Sequence, residues 1–143
     1  MPLLKRRRNL PLRVEDIMSA PPITVAMDTP VEQAVKVMDD NNISSVMIVG
    51  KDGKLSGIFT DRDLRFAVAE GKIGKGLPIH MLMTEDPVTI SPSELVLEAM
   101  RKMRDADIKH LPVVDKDHKP LGMITMRDIL DAAWLLFEVL APS

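Results

Sequence analysis

The period of the apolar positions changes several times along the chain. The run ITVAM at 23–27 is short and rich in β-branched residues, which predicts a strand. The stretch after it predicts an amphipathic helix, because its apolar residues recur at intervals of three and four. These residues are Val31, Ala34, Val35 and Met38. Thr29, then Pro30 and Glu32, predict a capping box with proline at the first helical position.

The same series of elements occurs a second time. The runs 46–49 and 111–114 predict buried strands, and each is followed by a polar turn and a further strand. The turns are 50–54 and 115–119, and the strands after them are 55–59 and 120–124. Helices are predicted at 61–70 and 126–140, and a strand is predicted at 88–90. A further helix is predicted to open at Ser91 or Ser93, and its apolar residues are Val96, Ala99, Met100 and Met103. The order β-α-β-β-α is therefore predicted twice.

A shift of 65 residues aligns the two series without a gap, for example Met18 with Met83 and Asp63 with Asp128. The predicted organisation is a basic tail at 1–13, repeat one at 14–70, a Gly-rich linker at 71–78, repeat two at 79–135, and a helix end and tail at 136–143. Neither repeat can bury a sheet face and two helix faces alone. We therefore expect an α/β (α+β-like) fold of two pseudo-symmetric repeats packed through their sheets.

Composition excludes several classes of protein. The 143 residues have a net charge of −2, which gives no general attraction to nucleic acid or to an anionic membrane. The chain has no Cys and no apolar run long enough to span a bilayer, so we expect a cytoplasmic protein without a membrane partner. The basic run KRRR at 5–8 is either a solvated tail or a weak contact to phosphate.

One short phrase ends an apolar run in both repeats. It consists of Gly, two apolar residues, Thr, two variable residues and Asp. It is GIFTDRD at 57–63 and GMITMRD at 122–128. T-x-x-D before a helix is a capping box, which gives a purely structural explanation. The functional alternative is a ligand site. Free N–H groups at a helix start suit a phosphate group, and a carboxylate one turn into the helix can accept hydrogen bonds from two neighbouring hydroxyls of a ligand. Gly57 and Gly122 would then let backbone approach the ligand closely.

These phrases, the LPVV-type strand and the element order resemble the CBS domain, which occurs in tandem pairs called Bateman modules. The stretch 108–130 matches closely, whereas Met47 stands where the family usually has Pro. The resemblance covers nearly all of 14–135 and leaves no further domain, so it implies a stand-alone pair. Relatives of this kind commonly form homodimers.

The resemblance also implies which residues bind a ligand. Asp63 and Asp128 would hold the ribose of an adenine nucleotide, and Thr60 and Thr125 its phosphate. The base pockets carried over by position are Ile58, Val88, Ile108 and Lys109 around Asp63, and Met123, Ile23, Ile43 and Ser44 around Asp128. Four basic residues, one of which is Lys109 of the first base pocket, either contact phosphate or only face water. They are Lys109, His110, Arg62 and Arg127.

The expected function is a non-catalytic regulatory module that senses adenine nucleotides, with AMP as the first candidate and ADP or ATP as others. It needs no catalytic cofactor, and its partners would be the nucleotide, a second copy of the chain and a regulated protein that the sequence does not identify. The alternatives are a dimerisation or docking module without a nucleotide, or a binder of S-adenosylmethionine or NAD. No hydrolase, metalloprotease or phosphate-loop motif supports an enzyme.

Overall fold

A computed structural model describes residues 12–142 of the protein, so the KRRR run lies outside the described residues. The elements in chain order are α1 (Val14–Ile17), β1 (Thr24–Ala26), α2 (Val31–Asp40), β2 (Ser45–Val49), β3 (Leu55–Thr60), α3 (Asp61–Ala69), a 3-10 turn (Ile79–Met81), β4 (Thr84–Glu85), α4 (Val96–Ala106), β5 (His110–Val114), β6 (Pro120–Thr125) and α5 (Met126–Leu140). No helix within the described residues is long and apolar enough to cross a membrane.

The predicted mixed α/β fold of two repeats is confirmed, with local differences in the strands. One sheet has the order β1-β2-β3-β4, in which β1 runs parallel to β2 and the other neighbours are antiparallel. The second sheet contains β5 and β6, which pair antiparallel. The strand predicted at 88–90 is reduced to one parallel bridge between Ile90 and Val113, because the remaining residues do not pair.

The segments 12–19 and 77–84, which lie at the start of the two repeats, each pack against the other repeat. Val14, at the start of repeat one, is buried in the core of repeat two with Ala99 and Ile124. Ile79, at the equivalent position of repeat two, is buried in the core of repeat one with Phe59. We call this arrangement the segment exchange. It makes each core depend on both ends of the duplicated sequence.

The segment exchange also determines where two helices begin. The Val31 N–H donates to the Leu77 carbonyl at 2.8 Å, and the Val96 N–H donates to the Leu12 carbonyl at 2.7 Å. The first helical residues are therefore satisfied by backbone from the exchanged segments. The predicted starts are wrong, because α2 has no side-chain cap at its N-terminus and α4 begins after Leu95 instead of opening at a serine.

The two repeats meet through their sheets, as predicted. A separate apolar cluster joins β2, β3, β5 and β6 across the interface. Its members are Met47, Leu55, Ile58, Val114 and Met123. Met47, at the position where the resemblance led us to expect Pro, is only 1% exposed, so its longer side chain is accommodated by contact with the other repeat.

Gly57 and Gly122 are required by the segment exchange. A Cβ on Gly57 would lie 2.8 Å from the Thr84 carbonyl oxygen, and one on Gly122 would lie 2.6 Å from that of Ser19. The prediction that these glycines admit a ligand is therefore wrong, because the close neighbour of each is the protein's own backbone.

A hydrogen bond also joins the repeats, between Ser44 Oγ and His110 Nε2 at 2.7 Å. Burial lowers the pKa of His110 from its ordinary value of 6.5, because it removes water from the charged imidazolium. The nearby Asp61 carboxylate opposes this decrease in the pKa, and the Lys109 ammonium adds to it. His110 therefore remains neutral near pH 7.

Alanine at Gly57 or Gly122 is expected to lower the free energy of unfolding by about 1–3 kcal/mol, because the facing carbonyl belongs to a paired backbone segment that cannot move freely. Urea unfolding measures the change. Gly50→Ala is the matched control, since its Cβ would meet side-chain atoms and no backbone, with Asp52 Oδ1 at 3.0 Å and Ser56 Oγ at 3.5 Å. Equal losses in all three variants would contradict the segment exchange as the reason for these glycines.

Acidification is expected to destabilise the protein through His110. The unfolded chain takes up a proton near pH 6.5 while the folded protein resists it, so this contribution is complete above 6.5 and is lost as the pH falls toward the lower folded pKa. Urea unfolding between about pH 7.5 and about pH 5.5 measures the slope. His110→Gln should flatten it. An unchanged slope in His110→Gln would exclude this residue as the cause.

Candidate functional site

The repeated phrase forms a complete capping box in both repeats. Thr60 ends β3 with extended backbone, and its N–H donates to Asp63 Oδ2 at 2.9 Å. The Asp63 N–H in turn donates to Thr60 Oγ1 at 3.5 Å. In repeat two, the Thr125 N–H donates to Asp128 Oδ2 at 2.9 Å, and the Asp128 N–H donates to Thr125 Oγ1 at 3.1 Å. The structural explanation of the phrase is therefore correct, but it accounts for only one oxygen of each carboxylate.

The second oxygen of each carboxylate accepts a hydrogen bond from the exchanged segment. The Thr84 hydroxyl donates to Asp63 Oδ1 at 3.0 Å, and the Ser19 hydroxyl donates to Asp128 Oδ1 at 3.0 Å. Ser19 and Thr84 are themselves 65 residues apart. An ionised carboxylate has about four acceptor positions, so both acids retain capacity to accept from a ligand.

The helix starts offer fewer free amides than the sequence suggested. The Asp61 N–H donates to the Ser44 carbonyl at 3.1 Å, and the Met126 N–H donates to the Lys109 carbonyl at 2.9 Å. Together with the capping boxes, these bonds occupy the first and third amides of α3 and α5. An anionic ligand here would therefore depend mainly on cationic side chains rather than on backbone N–H groups.

Asp128 lies in a cavity of about 630 Å³, which we call the Asp128 cavity. Residues of both repeats border it, because Ile23 and Ile43 come from repeat one while Met123 and Thr125 come from repeat two. The remaining lining residues are Ser19, Pro21, Pro22, Asn42, Ser44, Ser45, Met47, Asp61, Lys109, His110, Met126, Arg127 and Asp131.

Asp63 lies in a second cavity of about 520 Å³, the Asp63 cavity. Its apolar wall again crosses the repeats, with Ile58 from repeat one and Val88 and Ile108 from repeat two. The remaining lining residues are Ser44, Thr60, Asp61, Arg62, Arg65, Thr84, Asp86, Pro87, Ala106, Lys109 and His110. Every site residue predicted from the sequence borders one or both of these cavities, and each base pocket falls in the cavity expected for it.

Several polar lining residues were missed by the sequence analysis. Ser19 and Thr84 had a signal, since the 65-residue shift pairs them, each three residues before the aligned Pro22 and Pro87. Arg65 and Asp131 lie one turn beyond Arg62 and Asp128 on their helices, so helical periodicity places them on the cavity side. Asp61 had no signal, because its equivalent in repeat two is an apolar residue, Met126.

The cations differ in their freedom to meet a ligand. Arg62 Nη2 lies 3.7 Å from Asp107 Oδ2, but both side chains are largely exposed, so this ion pair is weak and easily exchanged. Lys109 borders both cavities, whereas Arg62 and Arg65 border only the Asp63 cavity and Arg127 only the Asp128 cavity. No group of three or more His, Asp and Glu is placed to hold a metal ion within residues 12–142.

Known proteins resemble this chain over most of its length. A CBS domain-containing protein of Dictyostelium discoideum is 38% identical over 140 residues, which are 90% of this chain and 94% of that protein. The inosine-5'-monophosphate dehydrogenase of Aquifex aeolicus is 37% identical over 135 residues. These cover 86% of this chain but only 27% of the enzyme, so the chain matches about a quarter of that protein.

Solved structures have the same fold. The CBS domain pair of protein MJ0100, in complex with 5'-methylthioadenosine and S-adenosylmethionine, has a TM-score of 0.78 at 34% identity and covers 83% of this chain and 97% of that one. The Pyrobaculum aerophilum CBS domain protein PAE2072, complexed with AMP, matches with a TM-score of 0.76 over 86% of this chain and 99% of its own. Because the two chains are only 21% identical, this likeness shows the fold alone.

The family comparison agrees with the repeated phrases and the fold. The CBS domain matches this chain twice, at residues 14–70 and 79–135. The resemblance inferred from the sequence is thereby confirmed, and the chain belongs to the CBS domain family as a tandem pair of CBS domains.

Proposed function

We propose that the protein is a non-catalytic regulatory module that binds adenosyl ligands in the Asp63 and Asp128 cavities. One observation carries the proposal: each cavity combines a carboxylate at a helix start with an apolar wall that comes partly from the opposite repeat. A ligand held by both features contacts both repeats at once.

The carboxylates suit the ribose of such a ligand. Each already accepts from a hydroxyl, that of Thr84 or that of Ser19, at 3.0 Å. A 2',3'-diol presents two neighbouring hydroxyl donors of the same kind to the remaining acceptor positions. Hydrogen bonds to a charged acceptor are stronger than neutral ones, so the ribose supplies both affinity and orientation.

The apolar walls suit the adenine. Ile58, Val88 and Ile108 border the Asp63 cavity, and Ile23, Ile43 and Met123 border the Asp128 cavity. The chain has no Tyr, so a base is sandwiched by aliphatic side chains rather than stacked on tyrosine rings. Volumes of about 520 and 630 Å³ lie within the range of about 300–1,000 Å³ that is usual for small-molecule sites.

AMP is the ligand that we propose first, with ADP and ATP as weaker competitors. Arg62, Arg65 and Lys109 border the Asp63 cavity and provide the charge that a phosphate needs. S-adenosylmethionine and methylthioadenosine are the rivals, supported by their complex with a pair 34% identical to this chain. They share the adenosine group with AMP but carry no phosphate, so the arginines distinguish the two classes.

The regulatory output is a change in the arrangement of the two repeats. Because each cavity has walls from both repeats, a bound ligand favours the arrangement that it contacts best, by the difference in its affinity for the two states. A regulated protein that recognises this arrangement is the expected partner.

The form of the protein in solution is a homodimer. An apolar stripe on α5 consists of residues spaced three or four apart, all at least 36% exposed. They are Met126, Leu130, Trp134 and Phe137. A second copy would remove this stripe from water, which favours association. The same stripe is the observation that favours the second candidate function, an interaction module without a nucleotide.

Asparagine at Asp63 or Asp128 is expected to weaken AMP binding at that cavity by about 10–100-fold, because a charge-assisted hydrogen bond to the ribose is lost while an oxygen remains for the cap. Titration calorimetry should show one of two binding events lost in each variant and both lost in the double variant. Asp52→Asn is the matched control, since Asp52 borders neither cavity. Parental affinity in the double variant would refute the role in ribose binding.

The same titration separates the ligands. Replacing Arg62 and Arg65 together by Gln should weaken AMP binding at the Asp63 cavity more than about 10-fold and leave methylthioadenosine binding there within about 2-fold. If methylthioadenosine or S-adenosylmethionine binds and AMP does not, the adenosyl site stands and the choice of AMP is wrong. If no adenosyl ligand binds to a stable dimer, the interaction module is the correct function.

Glutamate at Leu130 is expected to convert the dimer to a monomer, because it places a charge in the apolar contact. Analytical ultracentrifugation gives the mass. Trp134 is the only tryptophan and is 67% exposed in a single chain, so its fluorescence should shift to longer wavelength on dissociation. Leu97→Glu on α4, where Leu97 is 52% exposed, is the control. A wild-type protein that is monomeric at all concentrations would contradict the dimer.

A further inference from the structure

Four residues border both cavities and form what we call the shared wall. They are Ser44, Asp61, Lys109 and His110. Ser44 lies just before β2, and Lys109 lies at the equivalent position just before β5. The shared wall therefore lies where the equivalent strands β2 and β5 begin. The Asp63 cavity lies on one side of it and the Asp128 cavity on the other.

The two repeats contribute different chemistry to the shared wall. Repeat one has Ser44 and Ser45 where repeat two has Lys109 and His110. In an exact duplication each cavity would have its own basic residue at this place. Among the described residues, Lys109 is the only lysine or arginine that borders both cavities.

His110 does not provide a second positive charge. Its Nε2 lies 2.7 Å from Ser44 Oγ, and burial lowers its pKa below the ordinary value of 6.5. The imidazole is therefore neutral at pH 7. The only charged residues of the shared wall are then Lys109 and Asp61. The carboxylate of Asp61 repels phosphate, so Lys109 alone attracts it.

We propose, on the basis of the adenosyl site described above, that phosphorylated ligands in the two cavities compete for Lys109. A phosphate in one cavity takes the strongest donor of the shared wall, and the second phosphate then meets an occupied ammonium and a like charge. Filling one cavity therefore weakens phosphate binding in the other. Arg62, Arg65 and Arg127 each border one cavity, so they set its affinity without linking the two.

Titration calorimetry on the full chain measures this coupling. Asp63→Asn reports the Asp128 cavity alone, and Asp128→Asn reports the Asp63 cavity alone. The product of the two wild-type association constants, divided by the product of the two single-cavity constants, is the coupling factor. For AMP we expect about 0.1 or less, which corresponds to the loss of one charge-assisted hydrogen bond. For adenosine, which lacks the phosphate, we expect about 1.

A second lysine should remove the competition. Ser44→Lys supplies an ammonium at the position equivalent to Lys109, and Ser44 is exposed, so the longer side chain has room. The coupling factor for AMP should then rise toward about 1. Ser44→Ala is the matched control, because it loses the same hydrogen bond to His110 without adding a cation, and it should keep the coupling of the wild type.

The outcomes separate this inference from the proposed function. An AMP coupling factor of about 1 in the wild type, or equal coupling for AMP and adenosine, would overturn the competition for Lys109 and leave the adenosyl site intact. If neither AMP nor adenosine binds the wild type, both the competition and the proposed nucleotide function are wrong.

Discussion

The segment exchange determines the cores, the glycine positions and the cavities of both repeats. It places Val14 and Ile79 in the core of the opposite repeat, where both are completely buried. It also brings the backbone at Ser19 and Thr84 so close to β6 and β3 that only glycine fits at positions 122 and 57. The hydroxyls of the same two residues then reach Asp128 and Asp63. Neither cavity is complete in a single repeat, because each needs chain from both.

The exchange also explains why a nearly symmetric fold has unequal sites. Duplication supplies each cavity with a carboxylate, a hydroxyl and aliphatic walls in equivalent positions. Later differences have the largest effect where the cavities touch, since a residue there faces both ligands. Lys109, which stands in repeat two at the position of Ser44 in repeat one, is such a difference, and both residues border both cavities. A small asymmetry at the shared wall can therefore link two sites that are otherwise separate.

Local patterns predicted the elements well, because period and turn chemistry act over a few residues. The helix at 126–140 and both capping boxes follow from such patterns, and the 65-residue shift gave the number of repeats and the pairing of the site residues. The segment exchange was not predictable in this way, since Val14 has the same apolar character whichever repeat buries it. For the same reason the caps at Thr29 and at Ser91 or Ser93 were wrong. Those helix starts receive backbone carbonyls from segments distant in sequence, Leu77 and Leu12.

We propose that the carboxylates at the two helix starts bind the sugar of an adenosyl ligand between the repeats. A crystal structure of the protein grown with adenosine at saturating concentration would show whether they do. We expect adenosine in both cavities, with the 2' and 3' hydroxyls about 2.6–3.2 Å from Asp63 or Asp128 and the base between aliphatic side chains of both repeats. If adenosine binds elsewhere, or if its ribose turns away while both acids keep only their capping bonds and their bonds from Thr84 and Ser19, the carboxylates do not bind the sugar.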